Sequence, residues 1–377
     1  MLLALTSDQE FFRETTERFL VEQAPPNEVR RLQKDTAGFD ADYWRRGAEL
    51  GWTSFLVGEA HGGGTISGAG LVDLCLVAYE FGRHAAPGPL VSTNVVAGAL
   101  SARDAHPDVI ADLVAGTGIA SWCAPELSSV PGVWVPTVEI RRDGGEVVVT
   151  GTVSPVESAG QAGHLLVTGH DGGGITQVLV PASAAGVSIE PLRTTDLTRR
   201  FGAVTFDDVR LPEEAIVGAP GEASTDVEAQ FLRTLAILNA EAVGAMQAAF
   251  DMTVEWSFDR YAFGRPLASY QALKHRFADM LTWVEASHAI SDAASYAIEE
   301  GSPDAAELAS AAKAFIGQYG AEVVQDCVQM HGGIGVTFEH DLHLFLRRFT
   351  VDRSLAGTPG EHRQRIGAIL DGREVAA

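Results

Sequence analysis

The sequence is poor in basic residues: 27 lysines and arginines stand against 50 aspartates and glutamates, giving a formal charge of −23. A phosphate backbone needs clustered Lys and Arg, so nucleic acid and anionic membranes are poor partners for such a chain. Cysteine is scarce. Cys75, Cys123 and Cys327 form an odd, scattered set without a C-x-x-C pair, which reads as reduced, mostly buried thiols. No stretch reaches the ~18 apolar residues of a membrane span. The opening M-L-L-A-L lacks a basic segment, is too short for a signal-peptide core, and runs into Ser7-Asp8-Gln9-Glu10, a capping-box pattern. The expected location is the cytoplasm. Also missing are a G-x-S-x-G elbow, a Walker A sequence and a G-x-G-x-x-G after a strand, which removes the main support for hydrolase, phosphoryl-transfer and nicotinamide-binding readings. His340 and His343 sit at i and i+3 near His331, but no Asp, Glu or Cys completes a ligand signature, and no metal site is expected.

What is present is a chain of 377 residues, 46% hydrophobic, long enough to bury a large core and divide into two or three domains. Up to about Gly116 the apolar spacing is helical: Phe12, Phe19 and Leu20 share one face, Tyr43, Leu50 and Trp52 continue another, and residues 71–81 form a longer apolar helix before the Pro87-Gly88-Pro89 break. Short β-branched runs follow at 146–153, 164–168, 176–180 and 203–206, with Asp143-Gly144-Gly145 and 171–174 as hairpin connections. After Gly218-Ala219-Pro220-Gly221, long Ala- and Leu-rich helices are expected over 226–260, 270–300 and 303–330. The expected class is α+β multidomain: an N-terminal helical domain (1–118), a small antiparallel β domain (119–222) and a four-helix-bundle-like domain (223–377).

The most specific segment is Arg260 to Leu267, R-Y-A-F-G-R-P-L, followed by Gln271 and by Q-M-H-G-G-I-G from Gln329 to Gly335. An arginine, an aromatic three residues on and a glutamine near the next turn can hold a phosphate, a flat ring and a polar edge. A glycine pair lets backbone approach a phosphate. Singly, each has a plainer reading: Arg260 as a surface charge, Phe263 as core, Gly332-Gly333 as a helix connection.

Together, in this order, these segments resemble the flavin-binding signature of the acyl-CoA dehydrogenase family. Leu50-Gly51-Trp52 leading to Glu59 and Gly62-Gly63, the run Phe206 to Pro212, and Ala278-Asp279-Met280 extend the resemblance over nearly the whole chain. It implies a 2,3-dehydrogenation of an acyl-CoA thioester, FAD as cofactor and electron-transfer flavoprotein as electron acceptor. It further implies that Arg260, Phe263 and Gln271, with Gln329, Gly332 and Gly333, contact the ADP half of an FAD shared with a neighbouring subunit, hence an oligomer.

The departures from the family pattern narrow this reading. The usual catalytic glutamate precedes a Gly-Thr pair; here Ala356 precedes Gly357-Thr358. The alternative glutamate, ten residues before the glycine corresponding to Gly244, is Thr234. Ala124 to Ser129 and Pro155-Val156-Glu157-Ser158 replace the segments that hold the flavin ring. The chain is therefore similar to the base-lacking subunit of the two-chain actinobacterial dehydrogenases of sterol side-chain breakdown, as Thr195 to Arg200, T-D-L-T-R-R, also is. That implies an unlike partner supplying the base. Two alternatives stay open: a self-sufficient dimer or tetramer whose base is displaced, for instance to Glu241, and a non-catalytic assembly subunit. Glu241 lies two helical turns, roughly 10 Å, beyond Thr234; its plainer reading is a buried pair with Arg276 or Arg233. Arg347-Arg348, where relatives carry an acid second, reads as a solvated face.

Overall fold

In the computed structural model, residues 5–35 and 37–376 are described, with side chains to residue 373. Residues 1–4, which carry most of the M-L-L-A-L reading, lie outside them. Six helices come first: α1 (Ser7–Gln23), α2 (Pro26–Leu32), α3 (Ala41–Glu49), α4 (Gly70–His84), α5 (Leu90–Ala102) and α6 (Pro107–Val114). The capping box of α1 sits one residue earlier than the sequence pattern indicated. Thr6 is extended (φ −67°, ψ 159°), its hydroxyl accepts from Gln9 N, and the Gln9 side chain accepts from Thr6 N.

Helix α4 is buried on every side from Gly70 to Gly82, as a largely apolar run interrupted only by Asp73, Tyr79 and Glu80 requires. The first of its two buried acids, Asp73, is fully engaged. The carboxylate accepts from Gln9 Nε2 (2.9 Å), Ser67 Oγ (2.8 Å), and the backbone N–H groups of Ile66 and Ser67 (2.7 and 3.0 Å), and it stands at the positive end of the helix dipole.

Strands follow: β1 (Ala120–Cys123), β2 (Glu126–Leu127), β3 (Trp134–Val135), β4 (Val138–Asp143), β5 (Glu146–Glu157), β6 (His164–His170), β7 (Ile175–Pro181), β8 (Val187–Leu192), β9 (Phe201–Pro212) and β10 (Ile216–Val217). Eight of them form one sheet in the order β10-β7-β6-β4-β5-β9-β8, with β1 on β6. Pairing is antiparallel except where β6 lies parallel to β1 and to β4. The β4–β5 hairpin turns through Gly144 and Gly145, both at positive φ (64° and 89°), the geometry of a two-residue primed turn.

The chain ends in α7 (Ser224–Asp259), a small hairpin of β11 (Tyr261–Ala262) and β12 (Arg265–Pro266), then α8 (Gln271–Glu299), α9 (Ala305–His331), α10 (Leu342–Ser354) and α11 (Pro359–Ala376). One continuous apolar core joins α1, α3, α4 and α5 to α7, α8, α9 and α10. The closest approach is between α4 and α7. A Cβ on Gly82 would lie 1.9 Å from Glu241 O, and one on Gly244 would lie 2.0 Å from Tyr79 O, so the two backbones touch where both helices carry glycine. Among the described residues no helix is long and apolar enough to cross a membrane.

Candidate active site and cofactor edge

Between the sheet and the last helices lies a cavity of about 600 Å³, within the usual range for a small-molecule site. Val91 and Val95 of α5, Trp122 of β1, the end of β5, and Phe231, Thr234 and Leu238 of α7 contribute to its wall, as does the turn from Ser354 to Gly357 after α10. Thr234 and Ala356, the two positions matched to a family base, both line it. Neither carries a carboxylate, and the Thr234 hydroxyl donates to Gln230 O at 2.9 Å.

The Ala356 turn is held from below. Ala356 adopts positive φ (54°), and its carbonyl lies 2.9 Å from His362 Nε2. The His362 ring stacks on Phe231, planes 8° apart. Burial pushes the His362 pKa from 6.5 down to about 4, so the neutral ring donates Nε2–H. Buried His288 is likewise pushed down to about 3. Below pH 6.5 the unfolded chain takes up protons that the folded chain refuses until pH approaches 4 and 3. Stability is therefore expected to fall as pH drops from 7 to 5, by at most about 1.4 kcal/mol per pH unit for each histidine. Melting temperatures across that range check this; a flat profile would contradict it.

Glu241 does not line the cavity. It is 1% exposed and ion-paired with Arg199 and Arg348, neither of the partners the sequence suggested. Arg276 instead pairs with Asp326, and Arg233 is half-buried beside Gly98. A carboxylate held by two buried guanidiniums and out of contact with the cavity is not placed to take a proton from a ligand there, so the displaced-base reading of Glu241 is corrected. Arg348 is corrected too: it is 1% exposed, not a solvated face. Its guanidinium donates to Asp196 (2.6 Å), Glu241, Thr198 Oγ1 and Ala86 O (2.8 Å). Only Arg347 lies at the surface, over Phe338 and donating to Thr195 O.

Arg199 completes the cluster, lying 3.2 Å from Asp352 and 3.5 Å from Glu157. Lys313 Nζ donates to the Asp352 carbonyl. Burial raises Asp352 and lowers Lys313, whereas for Asp196 burial is outweighed by Arg348 and the Thr198 bonds, which hold it low. The sequence signal for this cluster was the arginine at 348 where relatives carry an acid, together with T-D-L-T-R-R; each was legible, their meeting was not.

The second constellation lies at one end of the bundle. Trp256, near the end of α7, stacks on His331, the last residue of α9 (centroids 5.2 Å), and His331 meets His340 (4.6 Å). This brings Arg260 and the Gln329–Gly333 segment to the same edge. Arg260 lies over Trp256 and has no carboxylate within 4 Å among the described residues. Phe263, at the tip of the β11–β12 hairpin, is fully exposed at positive φ (51°). Gln271, Gln329, Gly332 and Gly333 are exposed, and a Cβ on either glycine would meet nothing within 4 Å, so a ligand can come close to the backbone there, although the Gly332 N–H itself donates to Gln329 O. The three histidines are engaged in ring contacts, His343 with Phe338. Elsewhere Glu17, Glu80 and His84 bring three potential metal-ligand atoms within 4.8 Å of one another. Arg13 and Arg83, each 4.0 Å from Glu80, already supply positive charge there.

Residues 6–104 match the model of the acyl-CoA dehydrogenase N-terminal domain, and residues 227–370 that of the acyl-CoA dehydrogenase C-terminal domain. The chain belongs to the acyl-CoA dehydrogenase family. Acyl-CoA dehydrogenase IpdE2 of Mycobacterium tuberculosis (strain ATCC 25618 / H37Rv) is 28% identical over 362 residues, 95% of this chain and 96% of that protein. Among solved structures, a Tcur3481-Tcur3483 steroid ACAD variant is similar with a TM-score of 0.86 at 27% identity, covering 98% of this chain and 99% of that one. Butyryl-CoA dehydrogenase from Megasphaera elsdenii shares the fold, with a TM-score of 0.87 at 21% identity over 98% and 100% of the two chains. In this acyl-CoA dehydrogenase chain the helix–sheet–helix order of the fold is therefore intact.

Proposed function

We propose that this chain is one subunit of a hetero-oligomeric, FAD-dependent acyl-CoA dehydrogenase whose catalytic glutamate comes from an unlike partner chain. The observation that carries the reading is the pairing of Ala356 and Thr234 in the cavity wall with an exposed, unpaired donor edge at Arg260. The edge fits the ADP half of FAD: a free guanidinium, two exposed amides and open glycine backbone suit a pyrophosphate. The cavity does not fit the flavin ring. Pro125 and Pro155 have no N–H to offer it, and Glu126 and Glu157 add negative charge. Accordingly the ring is assigned to the partner's site, and no step is derived for it in this chain.

Bound FAD supplies a hydride acceptor. In this reading, Arg260, Phe263 and Gln271, with Gln329, Gly332 and Gly333, would contact its ADP half. Electrons then leave to electron-transfer flavoprotein. The similar steroid ACAD, named for two components, Tcur3481 and Tcur3483, supports the hetero-oligomer. The three-domain division at 118 and 222 is proposed with it.

Changing Arg260 and Gln271 together to Ala is expected to weaken flavin retention by the co-expressed hetero-oligomer about 10- to 100-fold, the loss of charge-assisted bonds to phosphate. Visible flavin absorbance after gel filtration reads this out. A complex that keeps its flavin and turnover supports a purely assembling subunit instead. A stable, FAD-loaded oligomer of this chain alone that oxidises acyl-CoA overturns the need for a partner.

A further inference from the structure

The cavity wall carries three carboxylates, Glu126, Glu157 and Glu361, and no Lys, Arg or His. Two of the acids are accounted for. Glu126 is exposed, and Glu361 caps α11, accepting from Thr358 N and Oγ1, both at 2.7 Å. Glu157, the last residue of β5, is different: its side chain is only 14% exposed, and its one charged contact is Arg199 Nε at 3.5 Å.

Arg199 gives Glu157 little more than that contact. Its other nitrogens are held by Glu241 and Asp352. Across the cluster, the carboxyl groups of Glu157, Asp196, Glu241 and Asp352 share the cations of Arg199, Lys313 and Arg348, and because burial pushes Asp352 toward its protonated form the charges come out close to balance. The cluster thus has no surplus positive charge to offer a ligand. Burial raises the Glu157 carboxyl above its ordinary range despite Arg199, in keeping with that balance. Around it Val91, Trp122, Phe201, Phe231 and Leu238 give apolar surface, interspersed with hydroxyl groups such as those of Ser92, Thr152, Ser154 and Thr234.

We propose that Glu157 makes this cavity a site for an uncharged, largely apolar ligand carrying one hydroxyl group, and that it excludes ligands whose buried end is anionic. The hydroxyl donates to the Glu157 carboxylate from the cavity side, opposite Arg199. An anion placed there meets a like charge with no cation to offset it, and at about 6 Å in a medium of effective dielectric about 20 this weakens binding by well over tenfold. The inference rests on the reading that the flavin ring sits in the partner's site, which leaves this cavity to another ligand.

The test uses the full chain and a matched pair of probes without CoA, octanol and octanoate, titrated calorimetrically at pH 7. Octanol is expected to bind at least about tenfold more tightly than octanoate. Glu157→Gln keeps the shape and removes the charge, and is expected to bring the two affinities within about threefold. Ala356→Leu, which narrows the cavity, is expected to weaken octanol binding several-fold. Octanoate binding as tightly as octanol, a ratio unchanged by Glu157→Gln, octanol binding untouched by Ala356→Leu, or no octanol binding at all would each overturn the proposal. Flavin retention by the hetero-oligomer is read separately, so neither failure can be mistaken for the other.

Discussion

Arg348→Met is expected to destabilise the chain by about 3–5 kcal/mol, the cost of removing one partner from a buried ion cluster. The guanidinium bonds four groups at once, Asp196, Glu241, Thr198 Oγ1 and Ala86 O. Without it, Asp196 keeps only its Thr198 bonds (2.8 and 2.7 Å) and stays buried with an uncompensated charge. Arg348→Lys restores the charge but not the planar fork that reaches several acceptors, so it should recover only part of the loss. Denaturant unfolding measures both variants. A loss under about 1 kcal/mol for Arg348→Met would mean that water replaces the guanidinium and that the cluster is not dry.

The second large effect is expected from a single methyl group. Gly244→Ala puts a Cβ about 2 Å from the carbonyl of Tyr79, a contact that only movement of one helix backbone can relieve. Overpacking of a tight core costs roughly 1–3 kcal/mol and sometimes more; a backbone obstacle on a fully buried helix belongs at or above the upper end. Gly82→Ala meets Glu241 O from the other side and should match it. The double variant should cost less than the sum of the two, because once the helices have separated for one methyl group the other has room. Strict additivity would refute a shared α4–α7 contact as the cause.

The long elements were legible because their signals are local. Helix α7 follows from an Ala- and Leu-rich run of 36 residues, and the β4–β5 turn from two adjacent glycines that accept positive φ. Strands β1, β4 and β8 were not read. Ala-Ser-Trp-Cys is too short to show alternation, Val-Glu-Ile-Arg-Arg-Asp loses its apolar face after two turns of the pattern, and β8 has no fully buried residue. Arg348 was misread for a reason of distance in sequence: its partners Asp196 and Glu241 lie 152 and 107 positions away. Nothing beside it in the chain marks it as buried. The same holds for Glu157, which in the sequence is only one residue of the Pro155 to Ser158 segment until Arg199 and the cavity are brought to either side of it. The donor edge, by contrast, was visible because Arg260, Phe263 and Gln271 are close in sequence; only its proximity to Gly332 needed the stacking of Trp256 on His331.

The apolar surface of α4 also has a history in time. Its residues 70–82 are covered largely by α7, whose contacting glycine is at 244. A ribosome adding about 5–20 residues per second makes the covering helix roughly 8–30 s after the helix it covers. For that interval the first helices carry an oily stripe with no partner, and the sheet is synthesised in between. Until α7 emerges, that face of α4 is where a nascent chain is most open to wrong association.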